Sequence, residues 1–369
     1  MKILRTGAAL AAVAALALTA CGGDNGNGGD TTSTSDGSPS AASTLSGTLQ
    51  GTGASSMKNA QDAWRAAFQT ANPDVTINYS PEGSGAGRTA FIDGAAAFAG
   101  SDAALKDDEL AGSFAMCVEG TDPINLPVYI SPIAIIYNVD GVDQLNLRAE
   151  VVAKIFAEEI TNWNDPAIAE LNEGVTFPDL AITPVHRSDK SGTTENFTDT
   201  LNSVAPEVWT NEGNQEWPAE LGGEGADKTT GVVTAVQNGA GAIGYADESG
   251  VPQGMTVAMY SADGKADLVG PTAEDAAAIV DASKRVEGRA DHAYSLELDR
   301  TASGYPFVLV AYAIVCQEYQ DAATGELVNA YISYVTSDQG QQDAVPEAGN
   351  APLSGELAKG VQEAAAAIK

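Results

Sequence analysis

His186-Arg187-Ser188-Asp189-Lys190-Ser191-Gly192-Thr193-Thr194, HRSDKSGTT, is the stretch from which the fold of this chain is read outward. The run before it, LAITPV (180–185), is apolar and partly β-branched, which predicts a buried strand. The run after it, ENFTDTLNSV, sets Phe197, Leu201 and Val204 at i, i+4 and i+7, the stripe of a helix. Ser191, Gly192 and Thr193 therefore fall at a strand-to-helix junction. Backbone N–H groups left over at a helix start, with hydroxyls beside them, make a site for a small anion. Arg187 adds a planar cation able to hold two oxygens at once. The plainer alternative is a Ser/Thr cap beside a surface arginine, and this stretch alone does not separate the two.

The same logic recurs along the chain. Residues 49–53 read as a short strand running into GTGASS (51–56), with a helix opening at Ser55-Ser56 and continuing through Ala71. Its buried stripe is Ala60, Trp64 and Phe68, and Asn72-Pro73-Asp74 stops it. VTINYS (75–80) alternates as a strand and leads to a second glycine turn, EGSGAGR (82–88), which opens a helix to about Ile92. AFAGSDAAL (97–105) is a strand ending on Ser101-Asp102. Later come a long apolar strand at 126–139, a helix at 151–160 with Val152, Ile155 and Phe156 inward, and a helix at 165–171. A tight loop at 222–225 precedes a helix through Gln237 and the strand GAIGYA. A second long apolar strand covers 305–315, followed by helices at 327–335 and 355–368. Strands alternating with helices predict α/β sheets with covered faces. The two long apolar strands read as two chain crossings, hence two lobes and a hinge, with ligand at the strand carboxyl ends.

Residues 1–20 stand outside that fold. Lys2 and Arg5, an apolar run at 8–17 and Leu18-Thr19-Ala20-Cys21 form a secretory signal, whose LTAC ending resembles a bacterial lipoprotein signal cleaved before Cys21. Residues 21–46 hold almost no large apolar side chains and read as a flexible Gly/Ser/Thr/Asp leash. A formal charge of −32 makes nucleic acid and anionic lipid surfaces poor partners. An anionic ligand remains compatible with that charge only in a local, dry site of directed hydrogen bonds, since solvent screens distant charge. Cys117 and Cys316 are an even pair after Cys21, which in an exported chain suggests a disulfide, with two buried thiols as the alternative. His186 and His292 are the only histidines and no Cys/His cluster exists, so a zinc site is not expected.

Taken in order, GTGASS, NYSPEGSGAGR, FAGSDAAL, NWNDPAIAELN, HRSDKSGTT, WPAELGGEGAD and GAGAIGYAD resemble the phosphate-binding proteins of the high-affinity phosphate ABC transporter. The resemblance runs from about Leu49 to the C-terminus. It implies a two-lobed periplasmic-binding-protein fold of type II, with two mixed sheets flanked by helices and joined by a two-crossing hinge. Lobe 1 would comprise 47–136 and 306–369, and lobe 2 would comprise 137–305. The implied ligand is inorganic phosphate, and the implied partners are the membrane permease subunits, served by a lipid-anchored monomer without cofactor or catalysis. The ligand set that it implies is Ser55, Ser56, Ser84, Asp102, Arg187, Ser191, Gly192 and Thr193, with Asp189 steadying the arginine. The family usually carries Thr-Phe where this chain has Ser55-Ser56, so one wall of the cleft lacks its aromatic ring.

Asp102 bears on the choice of anion. An ionised carboxylate only accepts hydrogen bonds, so it suits an anion that brings its own proton, as phosphate does. Sulfate and molybdate carry none at neutral pH and form the alternative oxyanions on the same plan. A serine hydrolase using Ser191 and His186 is the competing class, but no G-x-S-x-G elbow is present.

Overall fold

The structure is a computed structural model that describes residues 45–262, 268–288 and 292–369; the expected signal segment, Cys21 and all but the end of the leash lie outside them. The strands of the main sheet are β1 (Gly47–Gly53), β2 (Val75–Ser80), β3 (Phe98–Ser101), β4 (Pro123–Tyr137), β5 (Thr183–Arg187), β6 (Glu224–Ala226), β7 (Ala242–Asp247), β8 (Thr256–Val257) and β9 (Val308–Cys316). Their order is β2-β1-β3-β9-β4-β7-β5-β6, with β8 also on β4. Pairs β1–β2, β1–β3, β5–β6 and β5–β7 are parallel, whereas β9 lies antiparallel to β3 and β4, and β4 antiparallel to β7. The sheet is therefore mixed. The longer helices are α1 (Lys58–Ala71), α2 (Ser84–Ile92), α3 (Ala149–Phe156), α4 (Gly192–Val204), α5 (Lys228–Asn238), α6 (Ala273–Ala282), α7 (Ala322–Thr336), α8 (Asp338–Ala348) and α9 (Gly355–Ala366).

β4 organises the sheet because all of its fifteen residues are buried, which is what its unbroken apolar run demands. Residues 123–132 pair with β9, and residues 133–137 pair with β7. The two sheets expected from the sequence thus meet through this one strand. β9 is buried along its full length beside it, so both long apolar runs lie at the centre of the molecule.

Local boundaries differ from the sequence reading in instructive places. The helix expected to open at Ser55-Ser56 starts at Lys58, because residues 55–57 form a turn that aims Ser56 at Asp102. The strand expected at 180–185 is Thr183–Arg187, since residues 180–182 bond instead to the segment around Asn162. The helix expected at 165–171 is the single turn Pro166–Ala169, capped by Asp165.

Cys316 at the end of β9 is disulfide-bonded to Cys117, with the two Cα atoms 5.2 Å apart. The pair joins segments 199 residues apart, a loop whose closure is worth about 5 kcal/mol in the chain-entropy account.

β7 ends on Asp247, a fully buried carboxyl at the junction with β4. It accepts from Ser249 Oγ at 2.5 Å and from Tyr129 Oη at 3.2 Å to both oxygens. Burial pushes its pKa up to about 7, with the charge of Asp102 adding to the shift. A folded-state value above the unfolded one, ~3.9, contributes stability that is complete below pH ~4 and lost as pH rises towards 7. Asp247→Asn should remove this dependence. Between pH 4 and pH 8 the parent should lose on the order of 3 kcal/mol relative to the variant, at ~1.4 kcal/mol per pH unit. Denaturant titrations of both proteins at the two pH values measure it; parallel profiles would count against the buried charge.

Candidate functional site

Five strand ends converge on one place. β1, β2 and β3 deliver Ser55-Ser56, Ser84 and Asp102, while β5 delivers Arg187 to Thr193 and β6 leads to Lys228. Asp102 sits at the middle of this group and is almost fully buried. Ser56 Oγ donates to its Oδ1 at 2.5 Å, and Thr193 Oγ1 donates to its Oδ2 at 2.9 Å. Its own N–H donates to Ser84 Oγ at 3.1 Å, and its carbonyl accepts from Asn196 Nδ2 at 2.8 Å. Burial raises the pKa of its carboxyl, although the Ser56 and Thr193 hydroxyls and the Arg187 charge pull the other way.

Arg187 leaves β5 with its side chain buried and paired to Asp189 through two parallel bonds. Nε donates to Oδ1 at 2.6 Å and Nη2 donates to Oδ2 at 2.5 Å. Asp189 also accepts from the Lys228 N–H at 3.1 Å. Burial pushes the Asp189 carboxyl up, but the bonds and charge of Arg187 outweigh it and hold the value below the usual range. The pairing uses two of the five donors of the fork, which leaves three N–H groups on Nη1 and Nη2 beyond it.

Helix starts supply neutral donors. Ser191 caps α4, its Oγ accepting from the Thr194 N–H at 3.2 Å while its carbonyl accepts from the Glu195 N–H. The cap of the plainer reading is present, but Arg187 is buried rather than on the surface, and a capping hydroxyl still has its own proton to donate. The N–H groups of Gly192 and Thr193 are the next donors at this helix start, aimed along the favourable end of the dipole. Ser84 is the first residue of α2 and keeps its hydroxyl proton in the same way. Close approach explains two glycines. A Cβ on Gly192 would lie 2.7 Å from Asp102 Cβ, and one on Gly83, at φ +99°, 2.7 Å from an Asp189 oxygen.

The structure brings Ser56, Ser84, Asp102, Arg187, Asp189, Ser191, Gly192 and Thr193 together, as the sequence reading groups them. Ser55 is different. Its Oγ lies 3.0 Å from Thr229 Oγ1 and accepts from the Thr229 N–H at 3.4 Å, so that hydroxyl is engaged with the start of α5. Ser56 commits its hydroxyl to Asp102, which leaves its N–H as the group it could offer a ligand. Other contacts bring the β1–β3 ends against those of β5 and β6: Glu82 with Lys228 at 2.6 Å, Lys106 with Glu195 at 3.3 Å, and the Gly85 N–H with the Lys190 carbonyl at 3.2 Å. Thr229, Lys228 and Asn196 escaped the sequence reading because threonine, lysine and asparagine on helices carry no distinguishing signal.

Aromatic packing holds the arginine strand in place. Tyr245 stacks on Phe197 at 4.1 Å, and its hydroxyl meets both the Arg187 N–H at 3.3 Å and Thr194 Oγ1 at 2.8 Å. His186 stacks on Trp217 at 4.7 Å and its Nδ1 lies 2.9 Å from the Arg187 carbonyl. Burial lowers its pKa. The imidazole is thus engaged with Trp217 and its own strand, and among the described residues no hydrogen bond joins it to Ser191.

Buried hydroxyls, two helix starts and a pre-oriented arginine at strand carboxyl ends give this α/β protein an arrangement of donors that suits a small oxyanion. The PBP superfamily domain profile matches residues 38–339. Phosphate-binding protein PstS 3 of Mycobacterium tuberculosis (strain ATCC 25618 / H37Rv) is 33% identical over 342 residues, 90% of each chain. PstS 3 of Mycobacterium leprae (strain TN) is 35% identical over 336 residues, 87% of each chain. In fold, the phosphate binding protein from Stenotrophomonas maltophilia superposes with a TM-score of 0.65 at 19% identity, covering 86% of this chain and 94% of that one. The chain belongs to the PBP superfamily and, within it, to the family of the PstS phosphate-binding proteins.

Proposed function

We propose that this protein captures inorganic phosphate between two lobes and delivers it to the permease subunits of an ABC transporter. The observation that carries the reading is Asp102, a buried acceptor set among donors. Arg187, Ser84, Ser191 and the α4 start suit the unprotonated oxygens of the ligand, and Asp102 suits the protonated one. The relatives named as phosphate-binding proteins support the same ligand. Ser55 and Ser56 line the first turn, Ser56 through its N–H. The lobes divide as 47–136 with 306–369 and 137–305, and β4 and β9 are the two crossings of the hinge.

The protein acts outside the cytoplasm as a monomer without turnover, held at the outer face of the membrane by lipid on Cys21. No helix among the described residues is long and apolar enough to cross a membrane. Cys21→Ser should release the protein into the medium, and a variant that fractionates with membranes like the parent would rule the anchor out. The ligand is tested by calorimetric titration of dialysed protein with phosphate. Saturable tight binding supports the reading, and absence of heat at any concentration removes it.

A further inference from the structure

Asn196 lies one turn inside α4, almost fully buried, and is not among the ligand set considered above. Its Nδ2 donates to two main-chain carbonyls at once, Asp102 at 2.8 Å and Gly192 at 2.9 Å. Its Oδ1 accepts from Arg300 Nη2 at 2.7 Å. That last bond fixes which way the amide faces, because a guanidinium can only donate and its partner must be the oxygen. The NH2 group is then forced towards Asp102 and Gly192.

Arg300 is itself held rigidly. Its side chain is buried, with Nε donating to Asp199 Oδ2 at 2.7 Å and Nη1 to the carbonyls of Pro306 and Val308 at 3.1 and 2.8 Å. Pro306 and Val308 lie at the start of β9, the strand that leads back to the first part of the sheet. A continuous path of hydrogen bonds runs from the start of β9 through Arg300 and Asn196 to the main chain of Asp102. Asp102 directly follows β3, whereas Asn196 belongs to the helix after β5, so the Asn196 bond joins parts of the chain that lie on opposite sides of β4.

We infer that Asn196 is a positioning residue that latches the Asp102 main chain to the start of α4, with Arg300 setting the direction of its amide. This rests on the phosphate-binding reading and adds a retention role to it. The physical argument concerns two carbonyls brought side by side. The Asp102 and Gly192 oxygens both accept from one amide; the Gly192 carbonyl also lies in the helical ladder, but without the amide the Asp102 carbonyl would face it with no donor between them, buried beside an anion site. Such a bond forms only when the strand ends have come together, so it acts on release of the ligand more than on its capture.

The test is stopped-flow kinetics of phosphate binding and release for the full chain, comparing the parent with Asn196→Ala and Asn196→Asp. Asn196→Ala should release phosphate about tenfold to a hundredfold faster, the range for losing a buried hydrogen-bonding partner, with association within about twofold. Asn196→Asp is isosteric and keeps a partner for Arg300, which protects the fold. It turns a carboxylate oxygen on the two carbonyls and should release phosphate faster still. A merely structural residue would lower the melting temperature of the ligand-free protein and leave the release rate of the folded fraction unchanged. Unchanged release in both variants overturns the latch, as does a loss confined to association. A parent that binds no phosphate overturns the proposed function instead, and the two failures are told apart in the first titration.

Discussion

Dialysed protein titrated with phosphate and with sulfate at neutral pH should bind phosphate at least ~10⁴-fold more tightly, the discrimination typical of a site built to hydrogen-bond a ligand hydroxyl. On the proposed reading, Arg187, Ser84, Ser191 and the α4 N–H groups would meet oxygens that the two anions share in size and charge, contributing affinity without choice. Asp102 would supply the choice. Its two oxygens already accept one bond each, from Ser56 and Thr193, and each carboxylate oxygen has a second lone-pair site. A protonated phosphate oxygen can fill one of these; a bare sulfate oxygen would face it with no hydrogen between. Asp102→Asn should therefore weaken phosphate and admit sulfate, narrowing the ratio to within about a hundredfold as an amide replaces the repelling charge. Acidification should act in the same direction. Burial raises the Asp102 pKa, so as pH falls towards that value the carboxyl gains a proton and becomes a donor that sulfate can use. Calorimetry with both anions, repeated at lower pH, reads all three effects. Comparable affinities in the parent would take Asp102 out of its role.

The place of Asp102 among these junctions was legible because its parts are local. Hydrophobic periodicity on either side of HRSDKSGTT marks a strand and a helix, and glycines with serines mark the other junctions, so the convergence follows from repetition of one pattern. Contacts set by tertiary packing were not legible. Ser55 with Thr229 and Asn196 with Arg300 are separated by 174 and 104 residues, and nothing about these residue types announces a partner. Strand 183–187 was read three residues early because LAITPV is apolar throughout, and periodicity cannot tell which part enters the sheet. α8 went unassigned for the opposite reason. DQGQQDAVPEA has few apolar residues and includes Pro346, yet Ser337 caps its start and Gly349 closes it in a left-handed conformation, two signals that were available. α6 was readable too, from the Thr272 cap and the buried stripe Ala276, Ile279 and Val280.

Replacing Arg187 by methionine should lower phosphate affinity by about a thousandfold, since truncating one side of a buried charge contact costs ~2–5 kcal/mol or more. Three consequences add up at this position. The ligand loses its charge-assisted bonds, the cationic side chain paired with Asp189 disappears, and Asp189 is left as an uncompensated carboxylate beside an anion. Asp189 would retain its bond from the Lys228 N–H, which cannot neutralise it. The stability of the ligand-free protein should fall as well, by about 3 kcal/mol, the usual cost of breaking one side of a buried ion pair. Asp189→Asn separates these effects. It keeps the cation and an oxygen for it to donate to, so the loss of affinity should be far smaller than for Arg187→Met. The carboxylate form of the pair is stabilising above its unfolded pKa, and that contribution disappears as pH falls through the lowered folded value, so neutral pH is the proper place for the comparison. Calorimetry gives the affinities and denaturant titration the stabilities. If Arg187→Met binds phosphate within about tenfold of the parent, where tenfold is only ~1.4 kcal/mol, the guanidinium does not touch the ligand and the centre of the site must be sought elsewhere.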